Sequence, residues 1–185
     1  MNWWSRYLPA RMKEFISWLG GADAPSRVKA RELILEYKPV SILDVACGPA
    51  VEARSWGKKW HGCDTCQVLI DYAAERGITV EHGDAEKLPY KTGQFDVVYA
   101  RHLWEHLNGY TKALSEAMRV AGKLVVHVFF RPPQEKQKLG EVQGTPENIY
   151  SKRSIEAAIK KHDPKAVIRW EEIDNEEILL IEKGK

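Results

Sequence analysis

"SILDVACGPA", residues 41–50, decides the fold. Ile42, Leu43, Val45 and Ala46 form a short apolar run around one acid, Asp44, and the run breaks at Cys47-Gly48-Pro49. With Val40 it reads as a buried strand over 40–46 that enters a tight turn. Similar runs lie downstream. "WHGCD" (60–64), "ITVEHGD" (78–84), "FDVVYA" (95–100) and "KLVVHVFF" (123–130) read as four more strands, and 166–173 and 177–182 as two final ones. The segments between them carry helical spacing: Leu69, Tyr72, Ala73 and Arg76, then Ala113, Leu114, Ala117 and Met118 over 110–120, then 151–161 behind a serine cap.

Continuous apolar strands alternating with amphipathic helices predict an α/β fold. We expect a Rossmann-like doubly wound sheet of seven strands, mostly parallel, with helices on both faces. Only "DNE" separates the last two strands, too short for a crossover, so the last strand is expected to be antiparallel. Upstream, Pro9 precedes a stripe of Met12, Phe15, Ile16 and Leu19 that Gly20-Gly21 ends, and a second helix begins near Pro25-Ser26 and stops before Pro39. We therefore expect a single domain over 1–185, with 1–25 as a helical lid or packing segment and 26–185 as the core.

Length and composition bound the function. A chain of 185 residues, 44% hydrophobic and 29% charged, suffices for one full core. A net charge of +2 is too mild to imply nucleic acid. No apolar run approaches the ~20 residues that span a bilayer, and the N-terminal stretch lacks the apolar centre of a signal peptide. A cytoplasmic setting is the expectation. Three cysteines, Cys47, Cys63 and Cys66, make no disulfide framework. Cys63-x-x-Cys66 is either a redox pair or a pair of small packing residues near a turn.

In such sheets ligands sit beyond the carboxyl ends of the strands. The first strand ends at Asp44 to Ala50, the second at Asp64, the third at Asp84-Ala85 and the fourth at Arg101-His102. An acid beside the first glycine turn would repel a pyrophosphate, and the full GxGxxG of dinucleotide sites is missing. Asp64 stands where an acid accepts both hydroxyls of a ribose. Asp84 can accept from an exocyclic amine. Aspartate also caps helices, which accounts for any one of the three but less readily for all. Ribose, adenine and positive charge without phosphate describe S-adenosylmethionine.

From about Ser26 to its end the chain resembles the class I S-adenosylmethionine-dependent methyltransferases, in their small single-domain form. "SILDVACGPA" resembles the glycine-rich motif, "GCDTCQVLIDYAAERG" the ribose-acid segment and "VEHGDAEKLPY" the adenine-side segment. "GQFDVVYARHLWEHL" and "EAMRVAGKLVVHVFF" resemble the fourth and fifth strand segments. The resemblance implies S-adenosyl-L-methionine as cofactor and places Asp44, Ala46, Cys47, Gly48, Asp64, Thr65, Asp84, Ala85 and Arg101 on cofactor-contacting positions. Ala46 and Ala50 replace two of the family's three glycines. Ala46 is expected to need only a negative φ, whereas Ala50 stands where glycine permits a positive φ or a close approach.

Methyl transfer needs an acceptor held in line with the sulfonium methyl in a water-poor site, and a hydroxyl acceptor also needs a base. Catalytic candidates are His102, Glu105 and His106, with Glu105 and His106 expected to open the helix after the fourth strand. Trp3, Trp4 and Tyr7 are candidate lid residues, and the loop after Phe129 a candidate acceptor flap. His102-x-x-Glu105-His106 also has the spacing of a zinc-peptidase helix. Yet it begins at a strand tip, so no metal is expected. A small-molecule acceptor is favoured over nucleic acid, because the Asn/Asp-Pro-Pro-aromatic motif of many DNA methylases is replaced by Ala-Arg-His-Leu. The alternative is a methyltransferase-like protein that binds the cofactor or its product without transferring methyl, as a partner or regulatory subunit. The oligomeric state is open.

Overall fold

A computed structural model describes residues 3–19, 21–142 and 144–184, with side chains from Leu8 onward except Pro9. The side chains of Trp3, Trp4 and Tyr7 lie outside the described residues.

Two helices come first, α1 (Trp3–Leu19) and α2 (Pro25–Leu35). Then β1 (Ile42–Val45), α3 (Ala53–Trp56), β2 (Trp60–Asp64), α4 (Gln67–Ala74), β3 (Val80–His82) and β4 (Phe95–Arg101) follow. Next are α5 (Thr111–Val120), β5 (Ala121–Phe129), a small hairpin of β6 (Glu141–Val142) and β7 (Thr145–Pro146), α6 (Lys152–His162), β8 (Val167–Ile173) and β9 (Glu176–Glu182). The seven-stranded sheet runs β3-β2-β1-β4-β5-β9-β8. The first five strands are mutually parallel, and β9 pairs antiparallel with both β5 and β8. The expected fold class holds.

Period-two alternation splits the strand residues between two cores. Leu43, Val45, Val98, Ala100, Val125, Leu179 and Ile181 face α5 and α6, together with Leu114, Met118, Ile155 and Ile159. Ile42, Val97, Tyr99, Leu124, Val126, Ile178 and Leu180 face α2, with Ala30, Leu33, Ile34 and Trp56. The helices therefore cover both faces. On the α2 face, Arg27 Nη1 donates to Glu52 Oε1 at 2.7 Å, a buried pair joining α2 to the start of α3.

Three boundaries differ from expectation. The first helix begins at Trp3 rather than after Pro9, and its backbone leaves helical geometry at Arg11 (φ −117°). Pro9 has no N–H to give, so it sits inside a kinked helix rather than before a straight one. Glu105 and His106 do not open a helix. They lie in a single 3-10 turn, Trp104–His106, and α5 starts only at Thr111. The loop after Phe129 is more ordered than a plain flap: it holds β6 and β7, with bridges from Lys138 to Ile149 and from Gln134 to Ser151. No helix among the described residues is long and apolar enough to cross a membrane.

Candidate functional site

The strand order reverses around β1, where open sheets of this kind leave a crevice at the carboxyl edge. At the β1 tip the chain turns left-handed at every second residue. φ is +55° at Ala46, +58° at Gly48 and +59° at Ala50. The expectation of a negative φ at Ala46 is corrected. The turn closes through Cys47 N to Cys63 O and Ala50 N to Cys47 O, both 3.1 Å, and this path imposes the left-handed step on alanine as well as glycine. A Cβ adds strain in this region of roughly 1–2 kcal/mol per residue.

Asp64, at the end of β2, ties the turn down. Its Oδ2 accepts the Gly48 amide and its Oδ1 the Cys66 amide, each at 2.8 Å. Burial pushes Asp64 up, and the Cys66 and Gly48 amides pull it back only in part. Thr65 beside it is exposed. The Gly83 amide donates to Asp64 O at 3.1 Å, which joins the β3 tip to the same edge. There Asp84 is exposed, accepting the Glu86 amide through Oδ1 at 2.8 Å, and Ala85 is buried. Cys47, Gly48, Asp64, Thr65, Asp84 and Ala85 are thus brought together. Asp44 lies beneath the turn at 3% exposure, where its Oδ2 accepts Trp60 Nε1 at 3.0 Å. Burial, then the Glu52 charge, pushes its carboxyl up to about 8.

These residues fit a phosphate-free nucleoside. Each Asp64 oxygen has a second lone pair left for a hydroxyl. Above Gly48 the space is open: a Cβ there would meet only Leu69 Cδ1, at 4.0 Å. The acids at the β2 and β3 tips, Asp64 and Asp84, offer acceptors, which suits ribose and an exocyclic amine and disfavours phosphate.

The β4 tip is built differently. Arg101 is engaged by distant parts of the chain. Its Nη2 donates to Glu176 Oε1 at 2.7 Å and lies 3.5 Å from Ser26 Oγ, while Nη1 donates to Leu19 O at 3.4 Å. An arginine at a strand tip satisfies its donors with the nearest acid, and Glu176 supplies one. His102 stands at φ +56°, its amide bonded to Val128 O at 2.8 Å and its Nε2 3.2 Å from Glu176 Oε2. His106 is part-buried, stacks on Phe130 and has Nδ1 2.9 Å from Pro146 O.

Glu105 is fully buried, at 0% exposure. Its Oε1 accepts the Phe130 amide at 2.9 Å, and burial pushes its carboxyl up to about 8. Enclosed by protein and bonded to the Phe130 amide, Glu105 anchors the chain just after β5. His102, Glu105 and His106 share no helix, and no metal-binding group of three His, Cys, Asp or Glu occurs among the described residues. Cys63 and Cys66 are free; burial pushes the Cys63 thiol up to about 12, opposite to a reactive thiolate.

Glu176 is the site residue that sequence reasoning missed. The signal was present: a two-residue turn, Asp174-Asn175, starts an antiparallel strand at the sheet's carboxyl edge. Tyr99 was missed too. It pairs in register with Asp44, and its buried hydroxyl has no hydrogen-bond partner.

Residues 43–126 match the family model described as a methyltransferase domain. The demethylmenaquinone methyltransferase of Thermus thermophilus is 34% identical over 128 residues, covering 62% of this chain and 58% of that protein. A probable chloroplastic tocopherol O-methyltransferase of Oryza sativa is 29% identical over 126 residues, covering 58% of this chain and 35% of that protein. This chain thus spans well under two thirds of either relative. Among solved structures, an S-adenosylmethionine-dependent methyltransferase from Mesorhizobium loti superposes with a TM-score of 0.70 at 13% identity. It covers 89% of this chain and 100% of that one. With this domain match over residues 43–126 and this seven-stranded sheet, the chain is similar to the class I S-adenosylmethionine-dependent methyltransferases, whose cofactor is S-adenosylmethionine.

Proposed function

We propose that this chain transfers the methyl group of S-adenosylmethionine to a small-molecule acceptor. The observation that carries the reading is the array of Gly48, Asp64 and Asp84 on three consecutive tips beside the switch point. When bound, the cofactor supplies an electrophilic methyl carbon on a sulfonium. In this reading Asp64 takes the ribose hydroxyls, Asp84 and Ala85 border the adenine, and Cys47 and Gly48 give backbone to the chain between them. Asp44 and Ala46 support the turn from below. Arg101 acts on the acceptor side rather than on the cofactor carboxylate, because Glu176 already holds it.

The acceptor space lies past the tips of β4 and β5, bordered by His102, His106 and Phe130. A small molecule is favoured by the net charge of +2 and by a following loop that pairs its own charges, Arg131 with Glu147. The relatives named for demethylmenaquinone and tocopherol point to a ring-bearing acceptor. A cytoplasmic setting accords with three free cysteines and with described helices too short or polar to span a bilayer.

Calorimetric titration with S-adenosylmethionine and S-adenosylhomocysteine, followed by transfer of labelled methyl to an acceptor panel, tests the reading. Both nucleosides are expected to bind and label to move. Binding of neither overturns it, and binding with no transfer to any acceptor favours a non-catalytic partner subunit.

A further inference from the structure

We propose that Glu176 is the positioning residue of a His102–Glu176 pair that takes a proton from the acceptor, which makes the acceptor a hydroxyl compound. This rests on the methyl-transfer reading and deepens it. The topology brings the pair together. Because β9 runs antiparallel to β5, its first residue arrives at the carboxyl edge, beside the tip of β4. Glu176 then divides its two oxygens. Oε1 accepts from Arg101 Nη2 at 2.7 Å, and Oε2 lies 3.2 Å from His102 Nε2. Arg101 is itself bonded to Leu19 O, so the acid is braced from behind.

The histidine is braced as well. Its left-handed φ of +56°, its amide bond to Val128 O and its ring contact with Phe130 at 5.2 Å fix where the imidazole stands. A carboxylate oxygen 3.2 Å from Nε2 favours one tautomer, although the two atoms are not aligned as a hydrogen bond in this structure. The proton belongs on Nε2, and the lone pair on Nδ1. That is the arrangement by which an acid orients a general base. Burial lowers the proton affinity of His102, and Arg101 and Arg27 lower it further against the opposing pull of Glu176, so the ring is neutral and able to accept at pH 7. Behind it, His127 is also held neutral, by burial and by His102. Burial raises Glu176, but the close approach of His102 and the charges of His102 and Arg101 outweigh it and hold the acid at about 2.

In the step itself a lone pair of the acceptor oxygen forms the O–CH3 bond while the S–CH3 pair returns to sulfur. The hydroxyl proton passes to His102 Nδ1. The imidazolium so formed is paired by Glu176 and later loses its proton to water. An amine or sulfide acceptor needs no such base at the moment of transfer.

The test uses the full chain with 15N-labelled histidine rings, with Glu176→Gln and His102→Gln as variants. The wild-type His102 ring is expected as the Nε2–H tautomer. Glu176→Gln is expected to remove that bias, to move the ring's midpoint to lower pH, and to leave S-adenosylhomocysteine affinity unchanged. With catechol, a primary amine and a thiol as probes, catechol should be methylated. Glu176→Gln should then lower kcat by ~10–100-fold with little change in KM, and His102→Gln by more. An Nδ1–H tautomer in the wild type overturns the pair even if a variant fails to fold. So does a Glu176→Gln ring that titrates as wild type, or transfer to the amine or thiol that ignores His102→Gln. Failure to bind either nucleoside would instead remove the methyl-transfer reading while leaving the ring spectrum to stand.

Discussion

Two alanines carry the strain of the glycine turn, and they should respond differently to replacement. Ala46 is half-buried at φ +55°, so Ala46→Gly gives up little packing and relieves a left-handed Cβ. It should stabilise the chain by ~0.5–1 kcal/mol, read as a higher Tm in thermal unfolding. Ala50 shares the strain, but its methyl is buried against Ala73 and Val80. Ala50→Gly loses that packing and should be nearly neutral; an equal gain at both sites would show that packing at Ala50 contributes nothing. Glu105 makes a second prediction at this scale, on pH. Its folded value of about 8 lies above that of an unfolded glutamate, so the native state holds the extra proton. Stability therefore falls as pH rises from the unfolded value through about 8. Glu105→Gln keeps an oxygen for the Phe130 amide and carries no charge. Its stability relative to wild type should rise between pH 5 and pH 9 in urea titrations, and a pH-independent difference would refute a buried, protonated Glu105.

At the scale of elements, α1 is the piece whose attachment is most legible. Leu8 and Phe15 of α1 pack on Leu69 of α4, with Met12, Ile16, Leu19 and Cys66 around them. The end of α1 and the connector after it are held by arginines: Arg27 and Arg101 donate to Leu19 O, and Arg31 to Ala22 O. Helix α1 is thus seated on the same edge as Asp64 and Gly48, fixed by one apolar contact and several polar straps. Leu69→Ala removes the apolar half and should cost about 2–4 kcal/mol of docking. Hydrogen exchange distinguishes docking from folding. Amides of α1 should lose protection first, while those of β4 and β5 keep theirs; uniform loss across the sheet would mean that α1 is part of the global core. The 3-10 turn at Trp104–His106 is a second element with a clear cause. Trp104 N donates to His127 Nε2 at 3.1 Å, and Tyr150 Oη donates to Trp104 O at 3.1 Å, so the chain is pinned to β5 before a longer helix can form.

At the scale of the whole molecule, what was legible was what local pattern controls. Apolar runs gave the strands, the short Asp174-Asn175 connection gave the antiparallel β9, and acids on successive tips gave the candidate nucleoside edge. What was not legible depends on contacts far apart in the chain. No local signal says that Glu176 meets Arg101, 75 residues earlier, or that Glu105 turns inward to Phe130. Nor does a sequence show that a turn path forces Ala46 left-handed. The same long-range wiring makes one prediction about the entire fold. Asp64 joins β1, β2 and the start of α4 through the Gly48 and Cys66 amides, and it is also the expected ribose acceptor. Ligand binding and global stability should therefore run through one carboxylate. S-adenosylhomocysteine at 100 times its Kd should add about 2.7 kcal/mol to the unfolding free energy. For a chain of this length that is a Tm rise of roughly 5–10 °C. Asp64→Ala should lower the ligand-free Tm, because two amides lose a charged acceptor, and should also weaken binding by ~1.5–3 kcal/mol, shrinking the ligand-induced rise at the same concentration. The two losses can be separated by Asp84→Ala, which leaves the turn tied. If its ligand-free Tm stays near wild type while the ligand-induced rise shrinks, the tips act as one site. If Asp64→Ala lowers the ligand-free Tm but keeps the full rise, Asp64 is a structural tie alone and the ribose contact lies elsewhere.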